Sequence, residues 1–315
     1  MTDAPAPDHR LDRTDEFVHQ DWDRDREPAL AVDDGDVVEF ACRDATNGQM
    51  HVDATSEDVR AIDFRGHPLT GPVAVAGAEP GDTLAVDVLS VDHEGVGWNH
   101  VYPGSEGKGL LPEDFPDAHA VGWELGDGVA RYGGIELPLA PFPGNLGVAP
   151  ADPGPHSTTP PRRVGGNLDI KHLTAGSTLY LPVAVAGGLF SVGDLHGAQG
   201  DGEVCVTAIE MPGRVTLRLR LADREVSGPE LETDGPFEPA GGGRAVAASG
   251  VAGALEPAAK DAVRAMVDRL VADADAGLSR ADAYVVCSVA ADLKVSEIVN
   301  GNVVVTAYVS ESLLA

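Results

Sequence analysis

Apolar positions recur along most of this chain with the period of a strand. From Leu30 onward, ALAVDDGDVVEFACRD and VAVAGAEPGDTLAVDVLSVD each set β-branched runs on both sides of a Gly-Asp turn, which predicts β-hairpins. A further run, GGIELPLAPF, leads into PFPGNLGVAPADPGPHSTTPPRRVGGN. So many prolines deny donors to a central sheet, so this stretch reads as a long ordered loop or a crossover. The densest strand signal lies in STLYLPVAVAGGLFSV, EVCVTAIEM and VTLRLRLAD, with Pro182 arguing for an edge or bulged position.

The period changes only near the end of the chain. PAAKDAVRAMVDRLVADA, residues 257–274, repeats Val263, Met266, Val267, Leu270 and Val271 at helical spacing behind a first-turn proline, and Met266 reads as core. Ser279 is placed to cap a second helix over RADAYVVCSVA. LKVSEIVNG and NVVVTAYVS then close the chain as strands joined by a turn at Asn300-Gly301 or Gly301-Asn302. The predicted class is mainly β (α+β), a β-sandwich-like fold with a small helical insert near residues 257–290. Residues 1–15, rich in Asp, Pro and Ala without periodicity, read as an acidic flexible leader, and 16–315 as one domain.

Charge narrows the classes of partner. Acidic residues number 51 against 22 basic ones, only four of them Lys, for a net charge of -29. The acids are spread over the whole length (Asp33, Asp82, Asp152, Asp273), which predicts a solvated acidic shell of the kind suited to a saline cytoplasm. Such a field repels phosphates, and no basic cluster offsets it, so nucleic acid is excluded as a partner. No segment has the length and apolarity of a membrane span, and the N-terminus lacks a secretory pattern, which points to the cytoplasm. Cys42, Cys205 and Cys287 stand far apart with no CxxC pair, which fits reduced thiols rather than a disulfide scaffold or a zinc knuckle. No nucleotide-binding glycine pattern occurs.

Candidate chemistry concentrates in GGNLDIKHLTAGSTLYLPVAVAGGLFSVGDLHGAQGDGEVCVTAIE, residues 165–210. Asp194 and His196, two apart, would share one side of a strand and could present an oxygen and a nitrogen to one ion. Asp201 and Glu203 repeat that spacing across GAQG, so a hairpin would bring four polar heads together. Convergent buried carboxylates call for a cation or for raised pKa values; the plainer reading is an exposed acidic turn. An EF-hand is excluded, since Gln199 falls where its obligatory glycine belongs. Asp169 precedes Lys171 and His172, and an Asp169–Lys171 ion pair is its bland alternative. His67, before a proline, is a further candidate ligand. Cys205, on the expected face of Glu203, could be a nucleophile with His196 as base, or a small buried hydrophobe.

The order of these residues resembles the acetamidase/formamidase family. The likeness also takes in PALAVDDGDVVEFACRDATNGQ, HPLTGPVAVAGAEPGDTLAVDVL, GNLGVAPADPG and SVAADLKVSEIVNG, and covers nearly everything after His19. Gly188, Leu195, Gly197 and Val206 depart from the family pattern without removing a polar group. The resemblance implies hydrolysis of a small linear amide by a homo-oligomer, dimer or tetramer, that carries a divalent metal, zinc or calcium. It implies Asp169, Asp194 and His196 as metal ligands holding an activated water, and His67 stays a candidate from its position alone. Glu203, or else Asp201, would be the catalytic base, and Asn167, Gln199 or backbone N–H groups of the glycine-rich turns would bind the oxyanion or the amide nitrogen. The alternatives are another C–N substrate such as a cyclic imide or larger amide, a Cys205 mechanism, and a non-catalytic binding protein on the same scaffold.

Overall fold

The strand-period runs assemble into two large sheets that share one core. In the computed structural model, which describes residues 5–235, 243–273 and 277–314, a nine-stranded sheet starts at the edge strand His9–Leu11. It continues through Val37–Cys42, Gly213–Ala222, Thr83–His93 and Thr178–Pro182 to the hairpin of Asp292–Asn300 and Asn302–Ser310. An eleven-stranded sheet has Phe190–His196 in its interior. Phe40, Val86, Leu179 and Leu217 from the first sheet and Leu146, Phe190, Val192 and Leu195 from the second belong to one buried cluster, as a sandwich requires.

Two expected hairpins are instead corners between the sheets. Leu30–Val32 pairs in parallel with Leu69–Val75 in the eleven-stranded sheet, whereas Val37–Cys42 pairs with Gly213–Ala222 in the nine-stranded one. The chain crosses at 33–36, where Asp36 Oδ2 accepts from Asp33 N at 3.0 Å. Leu69–Val75 and Thr83–His93 are divided between the sheets in the same way. The local turn chemistry of a hairpin and of a corner is the same, and only the distant partner strand separates them.

The proline-rich stretch also contains a strand that sequence assigned to a loop. Phe142–Gly147 lies between Phe190–His196 and Gly165–Asn167, but only from Asn145 onward does it have neighbours on both sides. Pro143 sits where there is a single neighbour, and Pro182, at the end of its strand, does likewise. The expected leader is corrected in part: His9–Leu11 pairs with Val38, Glu39 and Phe40, and Leu11 is buried, while residues 1–4 lie outside the described residues.

Helices α1 (Ser56–Ala61), α2 (Leu255–Asp273) and α3 (Arg280–Ala290) complete the fold, with Ser279 capping α3 as expected. Ala258, Ala262, Met266 and Leu270 of α2 pack with Val246 and Ala248 of the strand Ala245–Ala252. Ala245 and Ala247 of the same strand join the inter-sheet core, so α2 covers the outer face of the nine-stranded sheet. Val271, expected in the apolar stripe, is exposed, and the buried face instead includes Arg269. No helix among the described residues is long and apolar enough to cross a membrane.

Candidate active site

The site forms where the interior strand of the larger sheet changes neighbour. Phe190–His196 pairs with Leu69–Val75 as far as Gly193, and with Glu210–Met211 from Leu195. Asp194 falls between these two partners and takes a left-handed backbone, φ +55°. Asp169, just after the strand Gly165–Asn167, and Glu203, in the loop before Glu210, are left-handed too, each at φ +48°. Three acids in a region that disfavours side chains store local strain, of about 1–3 kcal/mol each, and such strain gathers at functional positions. Gly144 provides room for them: a Cβ there would lie 2.6 Å from Asp169 Oδ1 and 2.7 Å from His196 Cε1.

His196 is the hub. Its Nε2 is 3.5 Å from Asp194 Oδ1 and 3.3 Å from Glu210 Oε2, and its Nδ1 is 4.0 Å from Asp169 Oδ1. Gln199 Nε2 donates to the carbonyls of Asp169 (2.8 Å) and Ser296 (3.2 Å), which turns its Oε1 toward His196 Nδ1 at 2.9 Å. Nδ1 therefore carries a proton, and Nε2 is the nitrogen left to face Asp194 and Glu210. Asn167 Nδ2 donates to Asp169 Oδ2 at 2.7 Å, and Asn145 Nδ2 donates to Asn167 Oδ1 at 3.0 Å. One oxygen each of Asp169, Asp194, Glu203 and Glu210, together with His196 Nε2, is buried with no hydrogen-bond partner.

Burial dominates the electrostatics. It raises Asp169 and Glu203 well above the carboxylate range, with neighbouring acids adding to the effect, and it raises Glu210 to about 7. For Asp194 burial acts in the same direction, but His67 and His196 outweigh it and hold the carboxyl below its ordinary range. Burial would lower His196, yet Glu210 and Asp194 raise it well above an ordinary imidazole. The site on its own thus keeps protons that a bound cation would replace. Two sets, Asp194–His196–Glu210 and Asp169–His196–Glu203, each offer three ligand atoms within 4.8 Å of one another, so a buried His/Asp/Glu group able to hold a metal is present. A cavity of about 370 Å³ opens onto Asp194, Glu203 and Glu210, with His67, Asn167 and Asn300 on its walls.

The sequence-derived candidates divide between the centre and its surroundings. Asp169, Asp194, His196 and Glu203 converge, but not through the expected hairpin: the strand facing Asp194 and His196 is Glu210–Met211, and 201–203 belongs to a loop. Asp201 is exposed and pairs with Lys171 at 3.1 Å, in place of the alternative Asp169–Lys171 pair. His67 lies at 3.7 Å from Asp194 Oδ2, outside both sets of three. Asn167 and Gln199 hold Asp169 and His196. Cys205 is half-buried, its Sγ donating to Thr207 O, and it does not line the cavity. Glu210 and the buried Glu297, raised to about 7 by burial, were missed; each is an acid set among apolar residues of a strand-like run, TAIEM and KVSEIV, and that setting was their signal.

Comparison with known proteins agrees with this geometry. The acetamidase/formamidase family matches residues 6–157 and 151–314. The chain is 33% identical over 260 residues to a formamidase of Methylophilus methylotrophus, covering 65% of this chain and 64% of that protein. With an acetamidase of Mycolicibacterium smegmatis the identity is 32% over 280 residues, 68% of each. The crystal structure of a Bacillus halodurans acetamidase superposes with a TM-score of 0.86 at 31% identity, covering 96% of this chain and 99% of that one.

Proposed function

We propose, from the premise that this chain belongs to the acetamidase/formamidase family and is an amidohydrolase acting on linear amides, that it converts formamide or acetamide to carboxylate and ammonia. The observation that carries this reading is the cluster of unpartnered buried acid oxygens around one unpartnered imidazole nitrogen, with Asp194, Glu203 and Glu210 facing a cavity. Asp194, His196 through Nε2, and Glu210 would hold a divalent cation, and their mixed oxygen and nitrogen donors suit zinc. When bound, the cation supplies Lewis acidity and offsets the buried negative charge.

The chain's own groups move the protons. Glu203, on the cavity wall with an unpartnered Oε2, takes a proton from the attacking water as the oxygen–carbon bond forms. It returns that proton to the amide nitrogen as the carbon–nitrogen bond breaks, because nitrogen cannot leave as an anion. Gln199 fixes the His196 ring and Asn167 fixes the Asp169 carboxyl, so both act by positioning. The setting we infer is a reducing, saline cytoplasm, which suits three free cysteines and an acidic shell.

Ammonia release from formamide, acetamide and larger or cyclic amides, with and without chelator, tests the reading. His196→Ala is expected to lose turnover and bound metal together, and Cys205→Ser to keep both. Full activity of His196→Ala would overturn the metal-site assignment, and complete loss in Cys205→Ser would favour a thiol mechanism instead.

A further inference from the structure

One side chain on the cavity wall has no task in this scheme. His100 lies on the strand Val96–Val101, where Trp98 pairs directly with Glu210. Alternation puts Trp98 and His100 on the same inward face as Glu210, and both are buried, whereas Asn99 and Val101 are only partly so. The His100 ring shares the cavity with Asp194, Glu203 and Glu210 and packs edge-on against Tyr102, ring centroids 4.7 Å apart at 81°.

His100 is 3% exposed, and neither ring nitrogen has a hydrogen-bond partner. Its backbone, in contrast, is held twice by Thr207: the His100 N–H donates to Oγ1 at 3.2 Å, and that hydroxyl donates to the His100 carbonyl at 3.0 Å. The fold therefore fixes the strand and leaves the ring unengaged. Burial, with a contribution from Lys108, lowers the imidazole to about 4, so near neutral pH it offers one N–H and one lone pair. With a cation in place of their protons, the acids around the cavity are poorly suited to a substrate carbonyl oxygen, because ionised carboxylates only accept.

We propose that His100 is a further catalytic residue, donating a hydrogen bond to the substrate's carbonyl oxygen as that oxygen gains negative charge. This rests on the amide-hydrolysis reading. A donor held in place before reaction stabilises the transition state more than the bound amide, so it shows in kcat rather than KM.

The test is steady-state ammonia release by wild type, His100→Phe, His100→Asn and His100→Gln, alongside metal content and melting temperature. His100→Phe keeps the packing on Tyr102 and removes the donor; it is expected to lower kcat by roughly 10²–10³-fold with little change in KM and unaltered metal content. Asn places an amide N–H near the position of Nδ1 and Gln near Nε2, so one of the two should recover at least about tenfold over Phe. A folded His100→Phe with kcat/KM within threefold of wild type overturns the proposal, as does a loss confined to KM or an equal kcat loss in all three variants. If the phenylalanine variant does not fold, the Asn and Gln pair decides: kcat of both within threefold of wild type, or lowered equally, counts against it. Wild type inactive on every amide would instead sink the proposed function itself.

Discussion

At the scale of single residues, the site depends on atoms that are missing as much as on those present. Gly144 has no Cβ, and a methyl there would meet Asp169 Oδ1, His196 Cε1 and the Asp194 carbonyl at 2.6, 2.7 and 3.0 Å. Gly144→Ala should therefore cost about 1–3 kcal/mol of stability by overpacking and displace two candidate acids and the hub imidazole at once. Since a shift of about 1 Å can lower rates about 10²-fold, kcat/KM is expected to fall by at least that factor in a variant that still folds. Wild-type turnover in Gly144→Ala would show that the contact is tolerated and the assignment wrong. A second residue sets the response to acid. His19 donates through Nδ1 to the Asp21 carbonyl at 2.7 Å and, as a neutral ring, accepts through Nε2 from the Ser191 hydroxyl at 2.9 Å, and burial, helped by Arg26, lowers it from 6.5 to about 4. The unfolded chain then binds the proton more readily than the native one between those values. Stability due to His19 is complete above pH 6.5 and is lost as pH falls toward 4, by up to about 3 kcal/mol. In His19→Gln the plot of melting temperature against pH should be flatter over that window, whatever its absolute height; an unchanged slope would remove His19 from the explanation.

At the scale of elements, the sequence is legible where periodicity is local and opaque where pairing is remote. Both long helices and the final hairpin lie within a few residues of their expected places, because caps, prolines and Asn-Gly turns act over a few bonds. The turns at 33–36 and 76–82 look like hairpins and are sheet-to-sheet corners, since their strands find partners elsewhere: Leu30–Val32 at Leu69–Val75 and Val37–Cys42 at Gly213–Ala222 for the first, Leu69–Val75 at Phe190–His196 and Thr83–His93 at Gly213–Ala222 for the second. The same limit applied to the site: Asp169, Asp194, His196 and Glu203 were found from composition and order, but Glu210 was not, because it meets His196 only through the pairing of Glu210–Met211 with Leu195–His196. Arg269 is a comparable case. It occupies the buried side of α2 and reaches Glu230 Oε2 at 3.3 Å, Glu232 Oε1 at 2.8 Å and Asp273 Oδ2 at 3.1 Å, so it ties the helix to the strand Glu230–Thr233. Arg224 shares these acids, its Nη2 lying 2.6 Å from Glu230 Oε2, so Arg269→Ala removes the more buried of two cations and should destabilise by about 1–3 kcal/mol. Turnover per folded molecule should be unaffected, since α2 packs outside the inter-sheet core. Chemical denaturation paired with active-site titration measures both, and a loss below about 1 kcal/mol would contradict the network's role.

At the scale of the whole molecule, charge is the property that local structure does not absorb. If every one of the 22 basic residues neutralised one of the 51 acids, 29 negative charges would still remain on the surface and in the site. Many existing ion pairs are exposed, such as Arg65–Asp63 and Arg264–Asp261, and pairs of that kind contribute little and are screened by salt. Repulsion among the excess acids acts over longer distances. Its range shrinks from about 10 Å at 0.1 M salt to about 3 Å at 1 M. Screening thus removes more repulsion than attraction, and the melting temperature should climb with KCl. Relief of only a few kcal/mol corresponds to roughly 5–10 °C in a chain of this size. Sucrose separates this from general exclusion of cosolute, because it strengthens burial without screening charge. A steep rise with KCl and a shallow one with sucrose supports an acidic shell adapted to saline surroundings, and equal slopes, or indifference to KCl, would refute it. The proposed neutral amide substrate makes a further distinction possible: its binding should be far less sensitive to salt than the stability is, so KM measured on the fully folded protein at 1 and 3 M KCl should change little.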